Sequence, residues 1–166
     1  MRTARNLLNH SLKRNRFLFM REWPYKNIMP RIVAEQYLGD NIMDYKLFCF
    51  GGQVRAIEVD FDSFIRHKRN IYAPNWDLYE LQITKPCDHW YIIPKPDKLA
   101  DMIKIAEILS SDVPFLRVDM YFINNEIYIG ELTFYHDGGI GKFTPYESDE
   151  EWGNWLTLPL QTPTRE

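Results

Sequence analysis

Two short runs hold the densest charge chemistry of this 166-residue chain: Arg117-Val118-Asp119 and Glu131-Leu132-Thr133. Both fall in segments that read as β-strands, 115–123 and 127–134, folded back on each other around Asn124-Asn125. A strand alternates its side chains between faces. Arg117, Asp119 and Tyr121 therefore share one face, with Leu116, Val118, Met120 and Phe122 on the natural core face. In the return strand Ile127, Ile129, Glu131 and Thr133 share a face opposite Tyr128, Leu132 and Phe134. The turn decides whether the two acids meet. A two-residue loop sets Asp119 opposite Gly130, whereas an odd loop or a bulge brings both carboxylates to one side. Asn tolerates left-handed backbone, so the expectation is a three-residue loop with a bulge at Asn125.

Two acids side by side in a sheet are costly unless something cationic sits between them. Mg²⁺ suits the role, because it takes hard oxygen ligands and bridges carboxylates to phosphates. Arg117 would then hold a phosphate or acyl-phosphate oxygen. A structural ion pair between Arg117 and the two acids is the other reading of the same spacing.

The elements that must position these groups are readable in outline. Leucines and phenylalanines at helical spacing predict a helix over 3–20. Residues 32–38 alternate as a strand, 45–50 and 54–61 form a hairpin around Gly51-Gly52, and 62–96 read as a long irregular system. That system holds the basic run His67-Lys68-Arg69 and the aromatic knot Tyr72, Trp76 and Tyr79. A helix over 98–109, with Asp97 as its N-cap, turns Leu99, Met102, Ile103, Ala106 and Leu109 to one face. After the second hairpin come His136-Asp137-Gly138-Gly139 and a tail whose Trp152 and Trp155 are expected to pack a helix onto the sheet. The fold class is α+β.

Composition limits the functions available. At 45% hydrophobic the chain can bury a core, so wholesale disorder is excluded. Two cysteines, Cys49 and Cys87, offer neither a disulfide framework nor a zinc cage. No apolar run reaches the ~18–20 residues of a membrane span, and no secretory signal is evident, so integral membrane association is not expected and a cytoplasmic location is. Residues 1–31 carry eight Lys/Arg against one acid, Glu22, in a chain whose total charge is −3. A polyanion-binding arm is one reading of that asymmetry, but no nucleic-acid-binding motif accompanies it, and nucleic acid is not expected as a partner.

The two chemical runs, taken with their surroundings, resemble the ATP-grasp carboxylate–amine ligases. An Arg-x-Asp strand returning as Glu-x-Asn is the signature of that superfamily, and Thr133 stands where most members have the Asn. Residues Glu35-Gln36-Tyr37-Leu38 resemble its adenine-binding strand, and Asp44 to Phe48 followed by Gly51-Gly52 resembles its phosphate-contacting strand. The chain is more similar still to the TupA-like branch, found with teichuronopeptide and surface-polysaccharide biosynthesis. That similarity runs through Arg21-Glu22-Trp23-Pro24-Tyr25-Lys26, Asn75-Trp76-Asp77 and Glu131-Leu132-Thr133-Phe134.

The resemblance implies ATP and Mg²⁺ as cofactors, an ATP-grasp-like antiparallel sheet with flanking helices, and ligation through an acyl phosphate. It implies Asp119, Glu131 and Thr133 as metal ligands and Arg117 as the catalytic group steadying the acyl phosphate. Glu35, Gln36, Tyr37, Leu38, Asp40 and Lys46 would bind ATP. The partners would be a nucleotide, a small carboxylate, and an amine or an acidic polymer acceptor. It also implies that the usual N-terminal half of the fold is missing, so that the chain is either a truncated enzyme or a split one whose N-terminal half is a separate chain. Residues 1–31 would then be a remnant of the nucleotide lid and 32–166 the catalytic subdomain. A non-catalytic nucleotide-binding fragment and a glycosyltransferase-like or polysaccharide-binding module are the alternative readings.

Overall fold

The computed structural model describes residues 2–40, 42–61 and 68–159. Its centre is a five-stranded antiparallel sheet. The strands are β1 (Asp44–Phe50), β2 (Gln53–Phe61), β3 (Lys68–Tyr72), β5 (Phe115–Ile123) and β6 (Glu126–Thr133), in the order β3-β2-β1-β5-β6. A two-stranded sheet pairs β4 (Gln82–Ile83) with β7 (Phe143–Thr144). The helices are α1 (Arg2–Ser11), α2 (Arg16–Met20), α3 (Leu99–Ser110) and α4 (Glu147–Trp155). This agrees with an α+β fold.

One face of the large sheet is apolar and is covered by α3. Tyr45, Leu47 and Cys49 of β1 meet Ile57 and Val59 of β2 and Leu116, Val118 and Met120 of β5 there. Leu99, Met102, Ala106 and Ser110 recur at helical spacing along α3 and are buried against them. Burial of such side chains, at about 1.5–3 kcal/mol each, holds the helix to the sheet. The cap differs from the expectation. Lys98 occupies the N-cap position without a side-chain hydrogen bond, and Asp101 in the first turn supplies the negative charge favoured there.

The β1–β2 hairpin forms as expected. Gly51 and Gly52 both lie at positive φ, and a Cβ on Gly52 would meet the Ser111 backbone at 3.3 Å. The C-terminal helix also forms as expected. Trp152 of α4 is buried against Phe48 and Phe50 in a second apolar cluster, on the opposite side of the sheet from α3.

Four further expectations are corrected. The helix over 3–20 is two helices. Asn15 adopts an extended conformation and its side chain accepts a 2.9 Å hydrogen bond from Phe17 N, which starts a new helix rather than continuing the first. Residues 32–38 form no strand, because among the described residues no strand pairs with them, and most of them lie exposed. Within 62–96, residues Lys68–Tyr72 are a fifth strand of the sheet (His67 of the basic run lies outside the described residues). Arg69 and Asn70 disguised β3 as a loop, yet both are buried because Arg69 finds Asp60 on β2 and Asn70 donates to Asp88 O and Tyr91 O in a later loop.

The fourth correction is the loop of the second hairpin. It has two residues, Asn124 and Asn125, both at positive φ, and Ile123 pairs with Glu126. That parity would put Asp119 opposite Gly130. A register shift between Asp119 and Met120 leaves Gly130 as the extra residue, so Asp119 pairs directly with Glu131. The bulge also redistributes the faces: Tyr128 pairs with Tyr121, and Ile127 packs against the apolar cluster. Glycine is required at the bulge, since a Cβ on Gly130 would sit 2.8 Å from the Tyr121 ring.

Candidate functional site

The second face of the sheet carries a row of charges, because strand pairing aligns polar residues from neighbouring strands. Lys46 of β1 pairs with Glu58 on one side and with Asp119 on the other, and Asp119 pairs with Glu131. Along the strands lie Asp44, Asp60, Arg69, Arg117 and Thr133. All but Asp44 and Glu131 are buried. Sheet pairing alone thus brings together Lys46, Arg117, Asp119, Glu131 and Thr133, five of the residues expected at the site.

The row is wired by ion pairs. Lys46 Nζ bonds Asp44 and lies 3.5 Å from both Asp60 Oδ2 and Asp119 Oδ2. Arg117 grips Asp119 fork to fork, Nε to Oδ1 and Nη2 to Oδ2 at 2.7 Å each, and Nη2 also donates to Thr133 Oγ1 at 3.1 Å. Thr133 Oγ1 donates in turn to Glu131 Oε1 at 2.6 Å. Burial opposes the Arg117 charge, but Asp119, Glu58 and Glu131 hold its pKa above the ordinary value. Lys46 is therefore not the solvent-facing side chain its alternation with Tyr45 and Leu47 also allowed.

Three charged residues of this face escaped sequence reasoning. Arg69 lies 3.2 Å from Asp60 and 3.4 Å from Glu58. Burial pushes the Glu58 carboxyl up to about 8, against the pull of Arg69, and neither of its oxygens has a hydrogen-bond partner. The signal was present in β2: Glu58 and Asp60 alternate with Ile57, Val59 and Phe61, the pattern of a strand buried on both faces.

His136 begins a tight turn directly after β6. Its Nδ1 is 2.8 Å from Arg117 Nη1. Arginine only donates, so Nδ1 accepts and the ring proton sits on Nε2. Burial lowers the imidazole pKa to about 4, with the Arg117 charge adding to that effect and Asp137 opposing it. His136 is neutral at pH 7. Positive φ at Asp137 and Gly138 folds the turn back, so that Asp137 accepts from Thr84 Oγ1 at 3.0 Å and lies 3.8 Å from Arg69.

The expected adenine segment is less enclosed. Glu35, Gln36, Tyr37 and Asp40 are exposed and Leu38 is half-buried. Tyr37 O–H donates to Asp40. Glu35 nonetheless reaches the charged row electrostatically. The Tyr121 phenol is raised first by burial and then by Asp119, Glu35 and Glu131.

The donors for a divalent cation suit magnesium in kind. Asp119 and Glu131 are opposed carboxylates, Thr133 adds a hydroxyl, and Asp44 Oδ1 is a buried oxygen without a hydrogen-bond partner. One or two carboxylates are what a protein usually contributes to Mg²⁺, with phosphates and water completing the shell. Among the described residues no three His, Cys, Asp or Glu side chains gather around one point. Nor, among them, is any helix long and apolar enough to cross a membrane.

Two other features are already committed elsewhere. Trp76 stacks on buried Tyr72 at 4.3 Å and 6° and donates to Ile93 O, so these rings of the aromatic knot face each other rather than a ligand. Both cysteines are free thiols.

No curated protein and no solved structure matches this chain significantly. The family model for the TupA-like ATPgrasp matches residues 1–157, nearly the whole length, and on that match the chain belongs to the TupA-like ATP-grasp family.

Proposed function

We propose that this protein is an ATP-dependent carboxylate–amine ligase that works through an acyl phosphate in cell-surface polysaccharide or teichuronopeptide biosynthesis. The observation that carries the reading is buried Asp119 set opposite exposed Glu131 on the polar face of the sheet, beside Lys46 and Arg117, in a member of this family. In the overall reaction a carboxylate oxygen takes the terminal phosphoryl group of ATP and ADP leaves. An amine then attacks the acyl carbon, inorganic phosphate departs, and the amine loses a proton to give the amide.

The side chains contribute position and charge. Asp119, Glu131 and Thr133 would hold magnesium, which when bound neutralises charge on the phosphates. Lys46 lies among three carboxylates with its ammonium on the same face, placed to meet a phosphate oxygen. Arg117 is oriented by Asp119, Thr133 and His136 and would steady the acyl phosphate. Glu35 to Leu38, with Asp40, would contact the base. In this reading residues 1–31 form a basic element over the nucleotide and 32–166 the catalytic subdomain.

Thermal denaturation of the full chain with Mg-ATP tests the reading. A ligand that binds only the folded state raises the midpoint with concentration. The expected result is stabilisation by Mg-ATP that EDTA abolishes, and ADP release when a suitable acid and amine are supplied. Absence of any nucleotide response would sink the proposal. The exposure of the 35–40 segment favours a second reading, nucleotide binding without turnover. A midpoint shift with no ADP release across a panel of acids and amines would select it.

A further inference from the structure

Next to the charged row, on the same side of the sheet, the structure forms an open cavity of about 460 Å³. That lies within the ~300–1,000 Å³ range of small-molecule sites. Its walls are aromatic: Phe48 and Phe50 from β1, Phe115 from β5, Phe143 from β7 and Trp152 from α4. The rings brace one another edge to face, Phe48 on Trp152 at 5.1 Å, Phe50 on Phe115 at 5.1 Å and Phe143 on Trp152 at 5.2 Å, so the walls are preformed.

One residue belongs to both places. His136 lines the cavity, packs edge-on to Phe48 at 4.8 Å, and bonds Arg117 through Nδ1. One donor there has no hydrogen-bond acceptor. His136 Nε2–H makes no hydrogen bond, its nearest acid oxygen being Asp137 Oδ2 at 3.6 Å. Arg117 stands behind the imidazole and donates to Asp119, Thr133 and His136.

We propose that this cavity binds the carboxylate substrate, and that the substrate is a small carboxylic acid with an aromatic or bulky apolar body, its carboxylate lying at the His136–Arg117 end. The inference rests on the ligase reading and names its substrate class. Apolar bulk is favoured because a ring-lined space leaves the hydroxyls of a polar body without partners, at about 1–3 kcal/mol each. Burial of a phenyl group in the same space is favourable. A carboxylate is favoured at that end because His136 offers an unpartnered N–H with the Arg117 charge behind it; the acid that lines the cavity is Asp149 of α4.

Isothermal titration of the full chain with 3-phenylpropionate, propionate and 3-phenylpropan-1-ol tests the site. The expected result is affinity for 3-phenylpropionate at least tenfold above either of the others. Equal binding of propionate removes the apolar body from the argument, and equal binding of the alcohol removes the carboxylate end; either result overturns the proposal.

Gly153 of α4 lines the cavity and has nothing within 4 Å of its Cβ position, so a side chain can start there without a clash, and Gly153→Leu is the variant chosen to fill the space. The variant is expected to melt no lower than the parent, since a helical glycine is replaced, and to lose 3-phenylpropionate binding at least tenfold. Retained affinity overturns the placement. Should the variant fold poorly, the Trp152 indole N–H resonance of the parent chain decides, because ligand in the cavity must shift it and an unmoved signal overturns the proposal. Mg-ATP is titrated in parallel. Nucleotide binding with no response to the acids defeats this inference alone. A selective response to 3-phenylpropionate without any to nucleotide upholds the cavity and defeats the ligase reading.

Discussion

Arg117 and Asp119, two residues apart on one strand, are joined by two parallel hydrogen bonds of 2.7 Å, and both are buried. Both oxygens of the central carboxylate are therefore held by the arginine proposed to serve the substrate. In the proposed ligase a metal at Asp119 would compete with that fork for the same oxygens. Asp119→Asn keeps one acceptor for Arg117 but removes the charge. The expected outcome by calorimetry is at least a tenfold loss of Mg-ATP affinity. The apoprotein stays folded by circular dichroism with a lower melting point, since a buried cation losing its partner costs about 3–5 kcal/mol.

The bulge at Gly130 makes the acid pair. Gly130→Ala drives a methyl into the Tyr121 ring, with the nearest ring carbon 2.8 Å from the new atom. The expected cost is about 1–3 kcal/mol in urea denaturation, the usual scale of overpacking. In a Tyr121→Ser background the same change should cost little, so the double-mutant cycle reports the contact itself.

Glu58 and His136 give the stability a pH dependence of known sign. Between its ordinary 4.5 and about 8, folded Glu58 holds a proton that the unfolded chain has released. Its contribution to stability is complete below 4.5 and falls as pH rises toward 8. His136 works the other way: between about 4 and 6.5 the folded state lacks a proton that the unfolded chain holds, so stability rises with pH there. The two oppose each other from 4.5 to 6.5, and above 6.5 Glu58 acts alone. Glu58→Gln should flatten the decline from pH 6.5 to 8, a change on the order of a few kcal/mol in urea melts. An unchanged slope would refute the burial of a neutral carboxyl.

Lys46 stands among Asp44, Asp60 and Asp119. Lys46→Met leaves those acids to repel one another and should lower the melting point. Added MgCl₂ should raise the midpoint of the variant more than that of the parent, because the divalent ion takes over part of the lost compensation. An equal magnesium effect on both proteins would place the ion elsewhere.

Much of this architecture is written locally. Period-two alternation marked β1, β2, β5 and β6, the glycine and asparagine pairs marked their turns, and the apolar spacing of Leu99, Met102 and Ala106 marked α3. Such signals survive because each depends on neighbours within a few residues. The order of the motifs likewise pointed to the family now shown by residues 1–157.

What the sequence left undecided was every matter of long-range pairing. Residues 32–38 have the alternation of a strand but no partner, so the pattern never became one. Lys68–Tyr72 looks like a loop in isolation and becomes the edge of the sheet only because Asp60 and Glu58 lie across from Arg69 and Ile71. The meeting of Asp119 with Glu131 was expected through an odd loop; it arises through an even loop and a bulge, which only the fit of Gly130 over the Tyr121 ring selects. The sequence by itself determined α3, α4, the strands of the two hairpins and the chemical types available. The tertiary structure decided which charges share a dry face, because burying a charge is tolerable only where strands from distant parts of the chain bring its partner.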